Sequence, residues 1–433
     1  MQRIWARDLG GRVGERVRLA GWLHHARRLS RVTFVLLRDA SGIAQVVVEA
    51  PTQIADVARL LPETVLEVEG TVTPNDAAPG GAEVHAPRFR VLSSPVEQPP
   101  IELRRPVLKE QLPTILDHAA VALRHPRRRA LFAIAAASLA GFRSGLDALG
   151  FTEVQTPKIV TAATESGASL FEVDYFARRA FLAQSPQLYK QMLVGVFERV
   201  YEAGPVFRAE PHDTPRHLSE YVSLDAELGF VDDHRDVMAV AREAVASMLD
   251  AIRRRARPAV ELLGFTLPRV PDEIPAVHFA DAQAMIEAAT GEPVVGEPDL
   301  APAHERWLGA WAKAEHGSDF VFVVGYPMEK RPFYTHPDPA RTEFSNSFDL
   351  LFRGLELASG GQRLHRYEDY VAALERRGQH VEGYGDYLEA FRYGLPPHGG
   401  FALGLERWVG RVAGATNIRE TALFPRDVTR LAP

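Results

Sequence analysis

Four short segments of this 433-residue chain place polar and charged side chains among apolar neighbours. VFRAEPHDTPRHLSEYVSLDAE runs from a strand ending in Arg208 and Glu210, through a loop with Arg216 and His217, into a returning strand with Tyr221 and Asp225. Such a hairpin presents a guanidinium to a phosphate as a bidentate fork, while a loop cation reaches further along the same ligand. Taken alone it reads more readily as a salt-bridged surface hairpin. In FDLLFRGLELASGGQRLHR, Asp349 and Glu356 share an oxygen-ligated Mg2+ if they face one site. On a helix, the same spacing makes a solvated stripe. TESGASLF and LAQSPQLYKQ supply Glu165, Gln187 and Lys190, which alone read as an acidic loop and a helix-start lysine. PPHGGFALGLERWVGRV sets glycines before a helix whose first turns carry Arg407. These glycines allow close backbone approach, but the Gly-x-Gly-x-x-Gly dinucleotide spacing is not met.

The elements that must hold these side chains follow from periodicity. VRLAGWLHHARR alternates, VTFVLLRD is apolar and β-branched, and Ser41-Gly42 turns the chain into IAQVVVEA. A short helix is expected at 56–61, then the strands ETVLEVEGTVTP and AEVHAPRFRVLS around the loop NDAAPGG. Several short strands with one helix between them suggest a small closed barrel of the OB type. SSPVEQPPIELRRP is proline-rich and aperiodic, as a linker would be. Beyond it, a long amphipathic helix is expected over 127–149, ended by Gly150. FTEVQTPKIV reads as a strand whose proline favours an edge. Strands and helices then mix without regular βαβ alternation, so the larger half is α+β. Residues 260–340 are the least informative, with DFVFVVGYP the only clear strand.

Composition sets the bounds. The length exceeds what one core usually serves, so two unequal domains are expected. A net charge of −6 gives no global basic signature, and any nucleic-acid surface must be local. One such imbalance exists: the first fifty residues carry nine arginines against Asp8, Glu15, Asp39 and Glu49. A solvated face explains that as well as an RNA footprint does. The absence of cysteine excludes disulfides, thiolate metal sites and cysteine nucleophiles. The first residues lack the apolar run of a signal peptide, and 131–142, the most apolar stretch, is too short to span a bilayer. A cytoplasmic protein with no membrane partner is expected.

With its four segments in this order, the chain closely resembles the class II aminoacyl-tRNA synthetases. GFTEVQTPKIV, with Pro157, resembles their motif 1, FRAE…RHLSEYVSLDAE their motif 2 and GLERWVGRV their motif 3. The likeness runs from the barrel to NIRETALFPRD. It implies an OB-fold anticodon-binding domain over 1–98, a linker or hinge over 99–125, and a catalytic domain over 126–433 with an antiparallel sheet flanked by helices. It also implies a homodimer with the two-fold interface around Pro157.

QSPQLYKQ resembles the aspartate enzymes, in which a lysine here faces the substrate side-chain carboxylate. Lys190 and Arg363 would then be two cations converging on one carboxylate. Asp225 would hold Lys190 without cancelling the net positive charge, and asparagine would leave the cations unpaired. By the same resemblance aspartate meets Glu165, Gln187, Lys190, Arg208, Asp225, Ser359 and Arg363. ATP meets Arg208, Glu210, Arg216, His217, Leu218, Tyr221, Glu356, Gly404 and Arg407. Mg2+ is held by Glu356, Ser359 and Asp349, while Arg208 and Arg407 are catalytic through charge. The aspartate carboxylate is already anionic, so catalysis needs positioning and neutralisation rather than a general base.

In the barrel, Phe34 matches the aromatic on which the middle anticodon uridine stacks, Gln45 the residue reading its edge, and Arg27 and Arg28 supply phosphate contacts. The connection between motifs 2 and 3 is too short for the large insertion of typical bacterial aspartate enzymes, so the chain resembles the compact archaeal type. Strict members of that type carry a tryptophan and a lysine where this chain has His24 and Pro79. A relaxed enzyme is therefore expected, charging both tRNA(Asp) and tRNA(Asn), with a separate amidotransferase acting on the second product. The alternatives are an asparaginyl-tRNA synthetase, a non-catalytic RNA-binding paralogue, and an ammonia-dependent asparagine synthetase, which should lack the barrel.

Overall fold

The structure, a computed structural model, describes residues 1–161 and 170–432. By its internal contacts the chain divides into two compact units, Met1–His125 and Pro126–Pro433.

In the first unit β1 (Arg16–Arg28), β2 (Thr33–Arg38), β3 (Ile43–Val48), β4 (Val65–Pro74) and β5 (Ala82–Ser93) close a barrel in the order β1-β2-β3-β5-β4. Alternation dictates the core: Val17, Leu19 and Leu23 of β1 point inward with Val35, Leu37, Val46, Leu66, Val68 and Val84, all buried. Helix α1 spans Pro51–Val57, earlier than the 56–61 expected, because Pro51 at its first position is pre-set for a helix start. Residues 99–125, anticipated as a linker, carry the short helices α2 (Leu112–Asp117) and α3 (Ala119–Ala122). Ile101, Leu103 and Ala122 form a small apolar cluster there.

The second unit begins with α4 (Pro126–Ala148). Two two-residue strands follow, β6 (Thr152–Glu153) and β7 (Ile159–Val160), then the hairpin β8 (Glu172–Tyr175) and β9 (Arg178–Leu182). The single strand expected in FTEVQTPKIV is therefore two, and they belong to different sheets: β6 joins the large sheet and β7 pairs with β9. Pro157 sits in the gap, where it cannot donate to a ladder. Helix α5 (Gln187–Phe197) precedes the long hairpin β10 (Arg199–Phe207) and β11 (Glu220–Gly229). After it come α6 (His234–Arg255), α7 (Arg257–Leu263), β12 (Ala276–His278), α8 (Phe279–Thr290), α9 (Pro302–His316) and β13 (Phe320–Val324). The stretch that looked uninformative thus holds two full helices, packed with β12 and β13 around Phe279, Ile286, Leu308 and Val323. The unit finishes with β14 (Ser347–Phe352), β15 (Glu356–Gln362), α10 (Tyr367–Arg376), α11 (Gly385–Arg392), β16 (His398–Gly404) and α12 (Leu405–Ala413). The glycines of PPHGGFALG therefore lie in an extended strand, His398–Gly404.

The large sheet has the order β12-β13-β14-β15-β16-β11-β10-β6. It is antiparallel in its interior and parallel only at the two outermost pairs, β12 with β13 and β6 with β10. Helices α4, α6 and α12 share one core with it: Ile134, Phe142, Met248 and Trp408 pack with Leu224, Ala226 and Leu228 of β11. Trp408 donates its indole N–H to Ser138 at 2.9 Å, which satisfies the one polar group of an otherwise fully buried ring. Helix α4 is long and apolar enough to cross a membrane, yet it packs against α6, α7 and α12 as a core helix. Replacing Phe142, which meets Tyr201 edge-on at 5.7 Å and is fully buried, with alanine is expected to cost about 3–5 kcal/mol, read from denaturant unfolding.

Candidate active site

Period-two alternation gives β11 two chemistries. Leu224, Ala226 and Leu228 face the helical core, so Ser223, Asp225 and Glu227 must share the opposite face. That face opens on a cavity of ≈ 430 Å³. Its walls include Gln187, Arg208, Glu210, Arg216, His217, Leu218, Tyr221, Asp225, Glu356, Ser359, Arg363, Gly404 and Arg407. The structure thus brings together most candidates named from sequence. Glu165 lies outside the described residues.

At one end, the loop joining β10 to β11 is closed by Arg208 N donating to Ser219 O at 2.9 Å. The Arg208 guanidinium lies 5.8 Å from the Tyr221 ring centre and 3.9 Å from Glu210. His217 faces Glu210 at 3.5 Å and Thr214 Oγ1 at 2.6 Å, and burial holds its pKa below the usual value. Arg407, in the first turn of α12, donates to the Glu356 carbonyl at 3.1 Å.

The other end rests on buried charge. Lys190 is 1% exposed and lies beneath the cavity. Its Nζ meets Asp225 Oδ1 at 3.0 Å, Glu227 Oε2 at 3.2 Å and the Phe401 carbonyl at 3.2 Å. Arg363 gives Nε to Glu227 Oε1 at 2.9 Å and Nη2 to Gly400 O at 2.9 Å. Its Nη1 makes no hydrogen bond with the described residues, and the side chain forms part of the cavity wall. Glu227 therefore bridges the two cations, and two anions balance two cations. This corrects the expectation of an uncancelled positive pair: Lys190 and Arg363 are already neutralised, and Glu227, not Asp225 alone, does it. Glu227 was legible, since it stands two residues beyond Asp225 on a recognised strand. Although fully buried, its carboxyl stays below the usual range because Arg363 and Lys190 oppose the effect of burial. Room for it comes from Gly400, where a Cβ would fall 1.9 Å from Glu227 Oε2 and 2.2 Å from the Ala226 carbonyl.

Glu356 and Ser359 stand three apart and would face opposite sides of a regular strand. A register shift between Leu350 and Leu351 on the paired strand re-phases β15, so both line the cavity. Asp349 lies opposite Ser359 across the same pair, but its Oδ1 accepts from Arg331 Nη2 at 3.0 Å. Arg331 is a partner the sequence reading did not name. The Glu356 side chain keeps 40% of its surface open to the cavity. Its recessed position and the Asp349 carboxylate push its pKa up to about 7. Among the described residues no three His, Asp or Glu side chains are grouped to hold a metal.

In the barrel, Arg27 lies over the Phe34 ring at 5.1 Å, and both residues keep exposed surface on the β1–β2 ladder. Gln45 donates to Glu83 at 2.7 Å, and Glu83 also accepts from Asn75 and faces His85. The arginine excess is partly consumed, since Arg38 forks onto Glu63 at 2.8 Å on both oxygens and Arg18 meets Glu67. Arg27, Arg28 and Arg31 stay exposed, with no ion pair to the described residues. Pro79 is exposed in the loop between β4 and β5. His24 is not. It is buried at an irregularity of β1, with Nδ1 3.2 Å from Arg38.

Similarity to known proteins bears on this geometry. The model for class II tRNA synthetases (D, K and N) matches residues 111–428, and that for an OB-fold nucleic acid binding domain matches 17–92. The chain belongs to the class II tRNA synthetases of the D, K and N group. A relative from Thermus thermophilus named aspartate–tRNA(Asp/Asn) ligase is 47% identical over 431 residues, covering 100% of both chains. One of the same name from Deinococcus radiodurans is 44% identical, over 100% of this chain and 99% of the relative. Among solved structures, asparaginyl-tRNA synthetase from Pyrococcus horikoshii bound to asparaginyl-adenylate aligns with a TM-score of 0.93 at 31% identity, covering 100% of both chains. Within this family the fold alone does not separate aspartate from asparagine.

Burial lowers two histidines in this synthetase to about 4: His398, beside Glu227, and His24, where Arg38 adds to the effect. The unfolded chain binds their protons below about pH 6.5 and the folded chain only near 4. Their contribution to stability is thus full at neutral pH and falls as pH drops through that window. Ring titration by NMR should place both near pH 4, and His398→Asn should flatten the slope of unfolding free energy between those limits.

Proposed function

We propose that the protein activates L-aspartate with ATP and transfers it to the 3′ end of tRNA(Asp), and also of tRNA(Asn). The observation that carries this reading is one cavity with Arg208, His217 and Arg407 at one end and Arg363 over the buried Lys190–Glu227 pair at the other. The Asp/Asn name shared by full-length relatives at 44–47% identity supports the substrate and the relaxed tRNA choice.

Arg208, with Tyr221 beside it, receives the α-phosphate and the aspartate carboxylate, while Arg216, His217 and Arg407 meet the distal phosphates. Tyr221 stacks on adenine, Glu210 and Leu218 border it, and Gly404 leaves space beside the ring. The aspartate side-chain carboxylate takes the remaining Nη1 of Arg363. Lys190 acts through its field, since its hydrogen bonds are already used. Gln187, Ser359 and Glu165 complete the amino-acid subsite. Glu356, raised to about 7, and Ser359 form a donor pair suited to Mg2+, which takes few protein oxygens and fills its shell with phosphate and water. Asp349 supports them through Arg331 rather than as a ligand. Such an ion supplies charge neutralisation at the phosphates.

In the barrel, Phe34 and Gln45 receive an unstacked base, and Arg27 and Arg28 its backbone. Pro79 leaves the third anticodon base without a lysine donor. His24 acts from below the surface through Arg38. The working form is a cytoplasmic homodimer joined around Pro157, and an amidotransferase converts the aspartyl-tRNA(Asn).

Pyrophosphate exchange should proceed with aspartate and not with asparagine; the reverse preference would sink the substrate assignment. Arg363→Gln should lower kcat/KM for aspartate by about 100-fold with little change in the KM for ATP. Purified tRNA(Asp) and tRNA(Asn) should be charged within about tenfold of one another, whereas a loss of roughly several hundredfold on tRNA(Asn) refutes relaxed recognition. Pro79→Lys should then restore part of the selectivity.

A further inference from the structure

The cations assigned to the distal phosphates lie on separate elements. Arg216 and His217 belong to the irregular loop 208–219, and Arg407 to α12. A loop of that length loses substantial conformational entropy when held in one shape, so some contact must fix it. The fixing contacts come from the segment 417–427, which no reading of the site has used.

Arg419 is the centre of that segment. Its side chain is 9% exposed, and its fork is fully engaged. Nε donates to Asp427 Oδ2 at 2.5 Å, Nη2 to Asp213 Oδ1 at 2.7 Å and Nη1 to the Thr214 carbonyl at 3.1 Å. Asp427 is itself held by Thr429 N and Oγ1 and by Arg430 N, so the anion that aims Arg419 is fixed in place. From Thr214 the contact continues to the loop's working residues: its hydroxyl faces His217 Nδ1 at 2.6 Å and accepts from Arg216 N at 3.2 Å. Two backbone bonds flank the clasp, Ile418 N to Pro215 O at 2.9 Å and Ser219 N to Arg426 O at 2.8 Å.

The same segment grips the second element. Thr421 Oγ1 lies 2.9 Å from the Glu406 carbonyl, one residue before Arg407, and 2.7 Å from the Ile418 carbonyl. The Glu406 carboxylate accepts from Val222 N at 3.1 Å, next to Tyr221. One strap therefore contacts both cationic elements and sets the spacing between them.

We infer that Arg419 is a positioning residue for the nucleotide: through Asp213 and Thr214 it holds Arg216 and His217 at the spacing from Arg407 that the β- and γ-phosphates require. This rests on the reading that the cavity binds ATP. Arginine is required because no other cation serves three divergent acceptors in one plane. Among the described residues Lys190, Glu227 and Arg363 share none of these contacts, so the effect falls mainly on ATP.

The test uses the full-length enzyme in pyrophosphate exchange, with thermal unfolding alongside. Asp213→Ala is the decisive variant, because Asp213 is 61% exposed and its loss leaves Arg419 paired with Asp427. The KM for ATP should rise about five- to tenfold, with the KM for aspartate within about twofold and Tm shifted by no more than about 2 °C. Arg419→Lys should retain more ATP affinity than Arg419→Gln, as one point charge keeps part of the clasp. An ATP KM within about twofold of the parent in Asp213→Ala, or an equal rise in both KM values, overturns the inference even if Arg419→Gln is unstable. A parent enzyme without aspartate-dependent exchange overturns the ligase reading itself, and the positioning role with it.

Discussion

Everything at the amino-acid end of the cavity depends on one buried carboxylate. Glu227 stands between Lys190 and Arg363, and without it two cations would share a fully enclosed space. Removing one partner from such a cluster costs several kcal/mol, about 3–5, because a charge is left behind with nothing to answer it. The cluster in turn dictates its surroundings. The strand crossing above Glu227 must carry glycine at 400, and Asp225 must take the remaining side of Lys190. His398 must stay neutral beside them, and burial ensures it. The neutral cluster leaves Arg363 Nη1 without a hydrogen bond to the described residues, on a side chain that lines the cavity.

The end of the cavity proposed to take ATP follows another logic. Its cations are half-exposed and sit on a loop and a helix start rather than inside a strand. Charge there is cheap to hold but position is not, so the chain spends hydrogen bonds on geometry. The strap around Arg419 and the register shift in β15 are both devices of this kind: neither touches a ligand, and each decides where a ligand-facing group stands.

Much of this was legible in the sequence, and the failures have physical reasons. The hairpin carrying Arg208 and Asp225 was readable because polar residues interrupt an apolar strand at period two. Glu227 obeys the same rule two residues on, and its carboxylate is what completes the charge balance with Lys190 and Arg363. The helices over 279–290 and 302–316 were obscured because flanking prolines and scattered polar residues blur a 3.6-residue period that packing restores. FTEVQTPKIV was read as one strand because composition carries no signal for a change of sheet. The Asp349–Arg331 ion pair was not legible because Arg331 lies eighteen residues earlier in a loop without periodicity. Alternation places His24 on the outer face, while an irregularity in β1 turns it toward Arg38. Such bulges are invisible to an alternation rule.

The register shift in β15 has a consequence for how this fold can change. Side chains on a strand are assigned to faces by counting, and the shift alters the count by one. A single-residue insertion or deletion between Glu356 and Ser359 would leave composition, charge and hydropathy almost untouched, yet move one of the two to the core side. Point substitutions here are graded, whereas length changes are all-or-none. Drift among descendants of this chain can therefore explore residue identity along β15 freely, but its length only where a second bulge restores the phase.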